Sequence, residues 1–256
     1  MTELENRNNG EKIAFNIMYD GSRFHGWQVQ NNARSVQGTF QDGLEAVLGF
    51  RPDVSGVSRT DSGVHANNYV CHVLRDGVNI PPERLSAALN SHLRDSGIAV
   101  KSCEIKDADF HARYSCTGKE YIYKIWNARY ANPFLSDRAW FYPMELDIEK
   151  MRFAEEEFVG TFDFRAFMTK GSKNEDNTVR TVKYFNVKRE DELVTISVCA
   201  DGFLYNMVRI MVGTYVDLAR RGASEGSVRE IINSCDRKNA GDTAPAQGLY
   251  LNKIFY

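Results

Sequence analysis

The sequence VSRTDSGVHA, residues 57–66, sets an arginine and an aspartate two residues apart inside a polar turn. An acid followed by Ser62 and Gly63 is ordinary turn chemistry, and on that ground alone Asp61 would be structural. Arg59 changes the balance. A carboxylate withdrawn from water stays ionised only beside a cation or hydrogen-bond donors. An ionised carboxylate is what nucleophilic attack or proton abstraction requires. The second anomaly is Arg209, inside the apolar run FLYNMVRIMVG, where a guanidinium is costly unless it is paired or reaches the helix edge. Tyr121 and Tyr123 alternate along EYIYKIW and would share one face of a strand, which core packing alone explains. Leu249 opens a closing strand and reads as core. His65 reads as fixing the turn, and His72, His92 and His111 have no catalytic spacing.

These groups must be held by elements that the hydrophobic pattern predicts in two similar rounds. In the first, a strand at 12–19 precedes a helix at 35–49 behind a Ser35 cap, and two strands then flank the 58–63 turn. Pro81 and Pro82 introduce a helix at 83–93, and 98–105 is a further strand. In the second round, strands are expected at 120–126, 184–187 and 194–198, with helices at 148–159, 203–220 and 228–234 and a closing strand at 249–256. The echo implies two α+β units of mainly antiparallel sheet, each with helices on one face, related as a pseudo-twofold pair with a ligand cleft between them. The expected division is a polar tail at 1–11, an amino-terminal half at 12–107 carrying Asp61, and a carboxy-terminal half at 108–256. Two stretches could rim a cleft. One is 23–32 with Trp27 and Gln28; the other is the polar run 169–177, which reads as an exposed loop.

Composition narrows the class. With 256 residues and 43% hydrophobic content, the chain can bury a substantial core without disulfides. Its five cysteines form no metal-ligand spacing and are expected to be reduced thiols. No secretory signal or membrane span is apparent, so a cytoplasmic protein is expected. A net charge of -2 argues against a surface basic all over, while leaving room for a local basic groove. Basic residues bunch at Arg113, Lys119, Lys124 and Arg129, at Lys170, Lys173, Arg180 and Lys183, and at Arg209, Arg220 and Arg221. On composition these are solvated faces.

Six ordered motifs point further. VSRTDSGVHA resembles the RTDxGVHA signature of the tRNA pseudouridine synthase A family. YDGSRFHGWQVQ and SVQG resemble that family's first loop and the opening of its first helix; KEYIYKI resembles its tyrosine-bearing strand. GFLYNMVRIMVGT and PAQGLYL resemble its arginine helix and its ending. Small departures are Ser58, where glycine is common, and Asn67-Asn68 after the motif.

The resemblance implies the pseudouridine synthase fold and isomerisation of uridine at positions 38, 39 and 40 of the tRNA anticodon stem-loop, without cofactor or metal. It also implies roles. Asp61 becomes the catalytic carboxylate; Arg59 fills the space of the flipped nucleotide; Tyr121 stacks on the target base; Leu249 lines the uracil pocket; and Arg209 pairs with Asp61. The family's homodimers would let a tRNA arm span two copies, and the bunched basic residues would then form a phosphate track. Two rival readings use the same residues: a non-catalytic RNA-binding protein, which would lack the usual aromatic signatures, and a glycosidic-bond hydrolase, for which no paired acid or metal can be placed.

Overall fold

Alternation in KIAFNIMY builds β1 (Lys12–Tyr19), which buries Ile13, Phe15, Ile17 and Tyr19. The structure is a computed structural model and describes residues 10–169 and 177–256. Nearly all of the expected polar tail and all but the ends of the expected 169–177 loop lie outside the described residues.

After β1, the Ser35 side chain accepts from the Gly38 N–H and starts α1 (Val36–Leu48), whose Val36, Phe40 and Leu44 form a buried stripe. A two-residue strand, β2 (Ser55–Gly56), leads into the polar turn and then into β3 (His65–Leu74). α2 (Pro82–Leu93) begins behind Pro81 and buries Leu85, Leu89 and Leu93. β4 (Ile98–Lys106) follows. β1 pairs antiparallel with both β3 and β4, so the sheet order is β4-β1-β3, with residues 251–255 beside β3 and β2 on its flank. Phe15 meets Phe40 of α1 edge-on at 5.3 Å, joining sheet to helix.

The second set of elements starts with β5 (Gly118–Trp126), to which β6 (Trp140–Phe141) adds in parallel. Next come α3 (Arg152–Glu157), β7 (Gly160–Asp163), β8 (Val179–Glu190) and β9 (Leu193–Ala200), antiparallel in the order β5-β9-β8-β7. The helices α4 (Met207–Arg221) and α5 (Ser227–Ser234) precede β10 (Leu249–Phe255). The core here is aromatic, with Phe158 stacked on Phe185 at 4.6 Å and Phe167 edge-on to Phe158 at 5.6 Å.

Two compact units result: Met1–Thr117 with Leu251–Tyr256, and Gly118–Tyr250. Each is α+β with mainly antiparallel strands. No helix among the described residues is long and apolar enough to cross a membrane.

Two helices are shorter than their apolar periodicity predicts. Residues 148–151 are wound into successive three-residue turns (Met151 N–H to Ile148 O, Arg152 N–H to Glu149 O), and Met151 offers no capping side chain, so the expected 148–159 helix is confined to α3. The expected 203–220 helix begins only at Met207, because Asn206 takes a left-handed conformation with φ 62°. Phe203 and Leu204 are thereby left outside the helix.

Candidate active site

In the first unit the Asp61 turn is held from three directions. Tyr69 on β3 donates its hydroxyl to the Ser58 carbonyl at 2.5 Å. The Trp27 N–H donates to the Thr60 carbonyl at 3.1 Å, and the Thr60 hydroxyl lies 2.8 Å from that of Tyr19 in a buried pair. Behind the turn the Trp27 ring stacks on Tyr69 at 4.0 Å. The carbonyl of Asp61 itself accepts from Val64. Asp61 is half-buried and Arg59 exposed, on a turn whose backbone is fixed.

That packing dictates residue types. Gly26 has φ +96°, and a Cβ there would lie 2.8 Å from the Thr60 carbonyl, so only glycine lets the 20–30 loop close on the turn. His65 is buried, and its Nδ1 accepts from the Gly21 N–H at 3.0 Å, tying the 20–24 loop to the start of β3.

In the second unit, Arg209 and Tyr123 converge on the segment 244–245. Arg209 is half-buried on α4; its Nε donates to the Ala244 carbonyl at 2.7 Å, and one terminal nitrogen donates to Asn206 Oδ1 at 2.9 Å. Its own carbonyl accepts from the Ala244 N–H, so backbone and side chain grip the same residue. The approach is close because Gly213 has no side chain: a Cβ there would fall 1.8 Å from the Asp242 carbonyl. Next along that segment, the Pro245 carbonyl accepts from the Tyr123 hydroxyl at 2.7 Å. Burial raises the Tyr123 phenol well above its ordinary range, against a lowering contribution from the charge of Arg209.

Tyr123 is therefore a core tyrosine with a satisfied hydroxyl. Tyr121, on the same strand face, instead packs edge-on to Phe203 at 5.1 Å. Leu249 is 6% exposed at the start of β10.

Several supporting residues escaped the sequence reading. Tyr69 and Tyr19 carry signals in that a buried phenol must find a hydrogen-bond partner, but nothing in the spacing names Ser58 or Thr60 as that partner. Asn206, the left-handed residue that both stops the helix and receives Arg209, had no signal at all. The basic bunches differ among themselves. Arg220 and Arg221 both pair with Asp217 at 2.8 Å, Lys124 lies over the Tyr250 ring at 4.6 Å, and Lys170 and Lys173 lie outside the described residues.

The units, with an RTD turn between strands in the first and an arginine-bearing helix in the second, define a protein of the pseudouridine synthase fold. Residues 16–115 and 154–256 match the family described as tRNA pseudouridine synthase. A tRNA pseudouridine synthase A of Acetivibrio thermocellus is 42% identical over 240 residues, covering 94% of this chain and 97% of the relative. One from Ruminiclostridium cellulolyticum is 43% identical over 246 residues, covering 96% and 99%. One from a Thermoanaerobacter species is 43% identical over 242 residues, covering 94% and 97%. The chain belongs to the tRNA pseudouridine synthase family.

Proposed function

We propose that this protein isomerises uridine to pseudouridine in tRNA, at positions 38, 39 and 40 of the anticodon stem-loop, with Asp61 as the carboxylate that drives the reaction. The observation that carries the reading is the Asp61 turn, anchored through Ser58 and Thr60 so that its acid is presented on a fixed backbone, in a chain similar to tRNA pseudouridine synthases A over nearly its whole length.

The bond from uracil N1 to C1′ breaks, the base turns, and C5 bonds to the same C1′. The hydrogen lost from C5 is balanced by one gained at N1. Atoms and electrons balance within the nucleotide, so the reaction calls for no cofactor or metal. Attack on C1′, attack on the base and removal of a C2′ proton all start from an ionised carboxylate.

The remaining roles follow from chemistry. Arg59, exposed beside Asp61, has the planar guanidinium suited to fill the gap left by an extruded nucleotide. Tyr121 offers a ring to the base and Leu249 an apolar wall. Arg209 supplies the positive charge that keeps a carboxylate ionised, and its fork is already oriented by Ala244 and Asn206. The same reading makes the protein a cytoplasmic homodimer whose copies share one tRNA arm; sedimentation velocity of the free protein tests the dimer.

The deciding assay scores pseudouridine by carbodiimide-dependent primer-extension stops on unmodified tRNA. Wild type should give stops in the anticodon arm and Asp61→Asn none. Equal stops from both proteins would remove Asp61 from the chemistry, and no stops from wild type would sink the activity itself.

A further inference from the structure

Two arginines beside the Asp61 turn are fixed on the carbonyls of neighbouring residues. Arg23 donates from a terminal nitrogen to the Asp95 carbonyl at 2.8 Å, and Arg34 donates likewise to the Ser96 carbonyl at 2.8 Å. Those carbonyls are consecutive in the chain, so two guanidiniums of like charge are fixed at one short turn. The turn is itself tied down, since Gly97 accepts from the Asp20 N–H at 2.9 Å. The Arg34 guanidinium also lies over the buried Phe24 ring at 4.8 Å.

Several other exposed arginines are neutralised by carboxylates. Arg51 meets Asp42 and Glu45, Arg152 meets Glu149 and Glu155, and Arg220 and Arg221 share Asp217. Among the described residues, no carboxylate comes within ion-pair distance of Arg34. Arg23 has only Asp20 at 3.9 Å, whose other carboxylate oxygen accepts from the Ser22 N–H and hydroxyl. The exposed Asp95 side chain pairs with neither. Fixing two long cationic side chains together costs rotamer entropy and like-charge repulsion. An anion placed between them offsets both.

We propose that Arg23 and Arg34 form a phosphate clamp for the tRNA backbone next to the nucleotide presented to Asp61; this rests on the tRNA reading above. Each guanidinium spends one donor on a carbonyl and keeps others for phosphate oxygens, in the fork geometry that suits them. The clamp is coupled to the reacting turn through main chain. The Phe24 carbonyl accepts from Gly63 at 3.4 Å, the His25 N–H donates to the Arg34 carbonyl at 2.9 Å, and Trp27 donates to Thr60. A phosphate seated there lies on the loop that packs against the Asp61 turn.

The test is the salt dependence of tRNA binding, followed by fluorescence anisotropy between about 50 and 200 mM salt. Arg23→Gln with Arg34→Gln should flatten the slope of log K against log salt by about 1, as expected for one phosphate, and weaken binding about tenfold or more. Slope and affinity equal to wild type would overturn the clamp. In case the double variant misfolds, wild-type protein is also treated with an arginine-selective dicarbonyl and read by peptide mass spectrometry. tRNA should protect Arg23 and Arg34 while leaving the exposed Arg94 reactive. Protection by inorganic phosphate but not by tRNA would mark a small-anion site and overturn the RNA assignment. The two claims fail separately: wild type that binds tRNA without forming pseudouridine sinks the activity, whereas the clamp is judged by slope and protection alone.

Discussion

The Tyr69 hydroxyl sits 2.5 Å from the Ser58 carbonyl, three residues upstream of Asp61, and fastens the Asp61 turn to the neighbouring strand. Tyr69→Phe removes that bond while the ring keeps its stack on Trp27. The expected cost is about 1–2 kcal/mol in urea unfolding for a buried carbonyl left unpaired. Pseudouridine formation at saturating tRNA should fall at least several-fold, with tRNA affinity within about twofold of wild type. Affinity falling in parallel with turnover would place Tyr69 in RNA binding instead.

Arg209→Met should abolish turnover while sparing most tRNA affinity, because the side chain is directed inward to Ala244 and Asn206 rather than along the surface. Arg209→Lys keeps the charge but not the fork and should recover only part of the rate. A collapse of affinity in step with turnover would identify a phosphate contact.

Glu157 supplies the missing cap of a helix elsewhere in its unit. Its two carboxylate oxygens accept from the Gly226 N–H at 2.5 Å and the Val228 N–H at 2.9 Å, at the start of α5, where Gly226 has no side chain to do so. Glu157→Ala should destabilise the protein by about 3 kcal/mol, and Glu157→Gln by roughly half that. Equal melting curves for Glu157→Ala and wild type would refute the capping role.

His72 makes stability depend on pH. It is 5% exposed, its Nδ1 accepts from the Ala112 N–H at 3.2 Å, and burial, then His111 and Lys12, lower its pKa from 6.5 to about 4. The unfolded chain therefore takes up this proton first, so the contribution of the neutral ring is complete above about pH 6.5 and lost as pH falls towards 4. At most, on the order of 3 kcal/mol is at stake. His111, also lowered chiefly by burial, adds in the same direction. The urea midpoint of wild type should drop between pH 7 and 5 by more than that of His72→Gln. Parallel drops would exclude His72 as the source.

The elements with strong local signals were legible from the residues. β1 and α1 follow from the alternation in KIAFNIMY and from Ser35, and the polar turn with Arg59 and Asp61 was visible from residue types alone. What was hidden depends on distance along the chain. Arg209 could be recognised as an anomaly, but sequence cannot show that Ala244 and Asn206 receive it. Arg23 and Arg34 lay in a stretch noted for its tryptophan, yet their meaning comes from carbonyls at 95 and 96 that only folding brings alongside. The bunched arginines Arg220 and Arg221 read as a solvated face, and the sequence alone does not show that one aspartate a helical turn away pairs with both. The helix ends failed for a related reason, since Asn206 and Met151 break periodicity through backbone conformation rather than through proline or glycine.

Strand β10 changes its allegiance partway, with Leu249 and Tyr250 in the second unit and residues 251–256 in the first. Asn67 and Asn68 of β3 bond to Asn252, and the Tyr256 hydroxyl reaches the Ala112 carbonyl. On the ribosome, the sheet behind the Asp61 turn must therefore wait with an open edge while the whole intervening unit is synthesised. Assembly of the turn is thus tied to completion of the second unit, and a nascent chain halted before residue 251 would carry the RTD sequence without the finished scaffold beneath it.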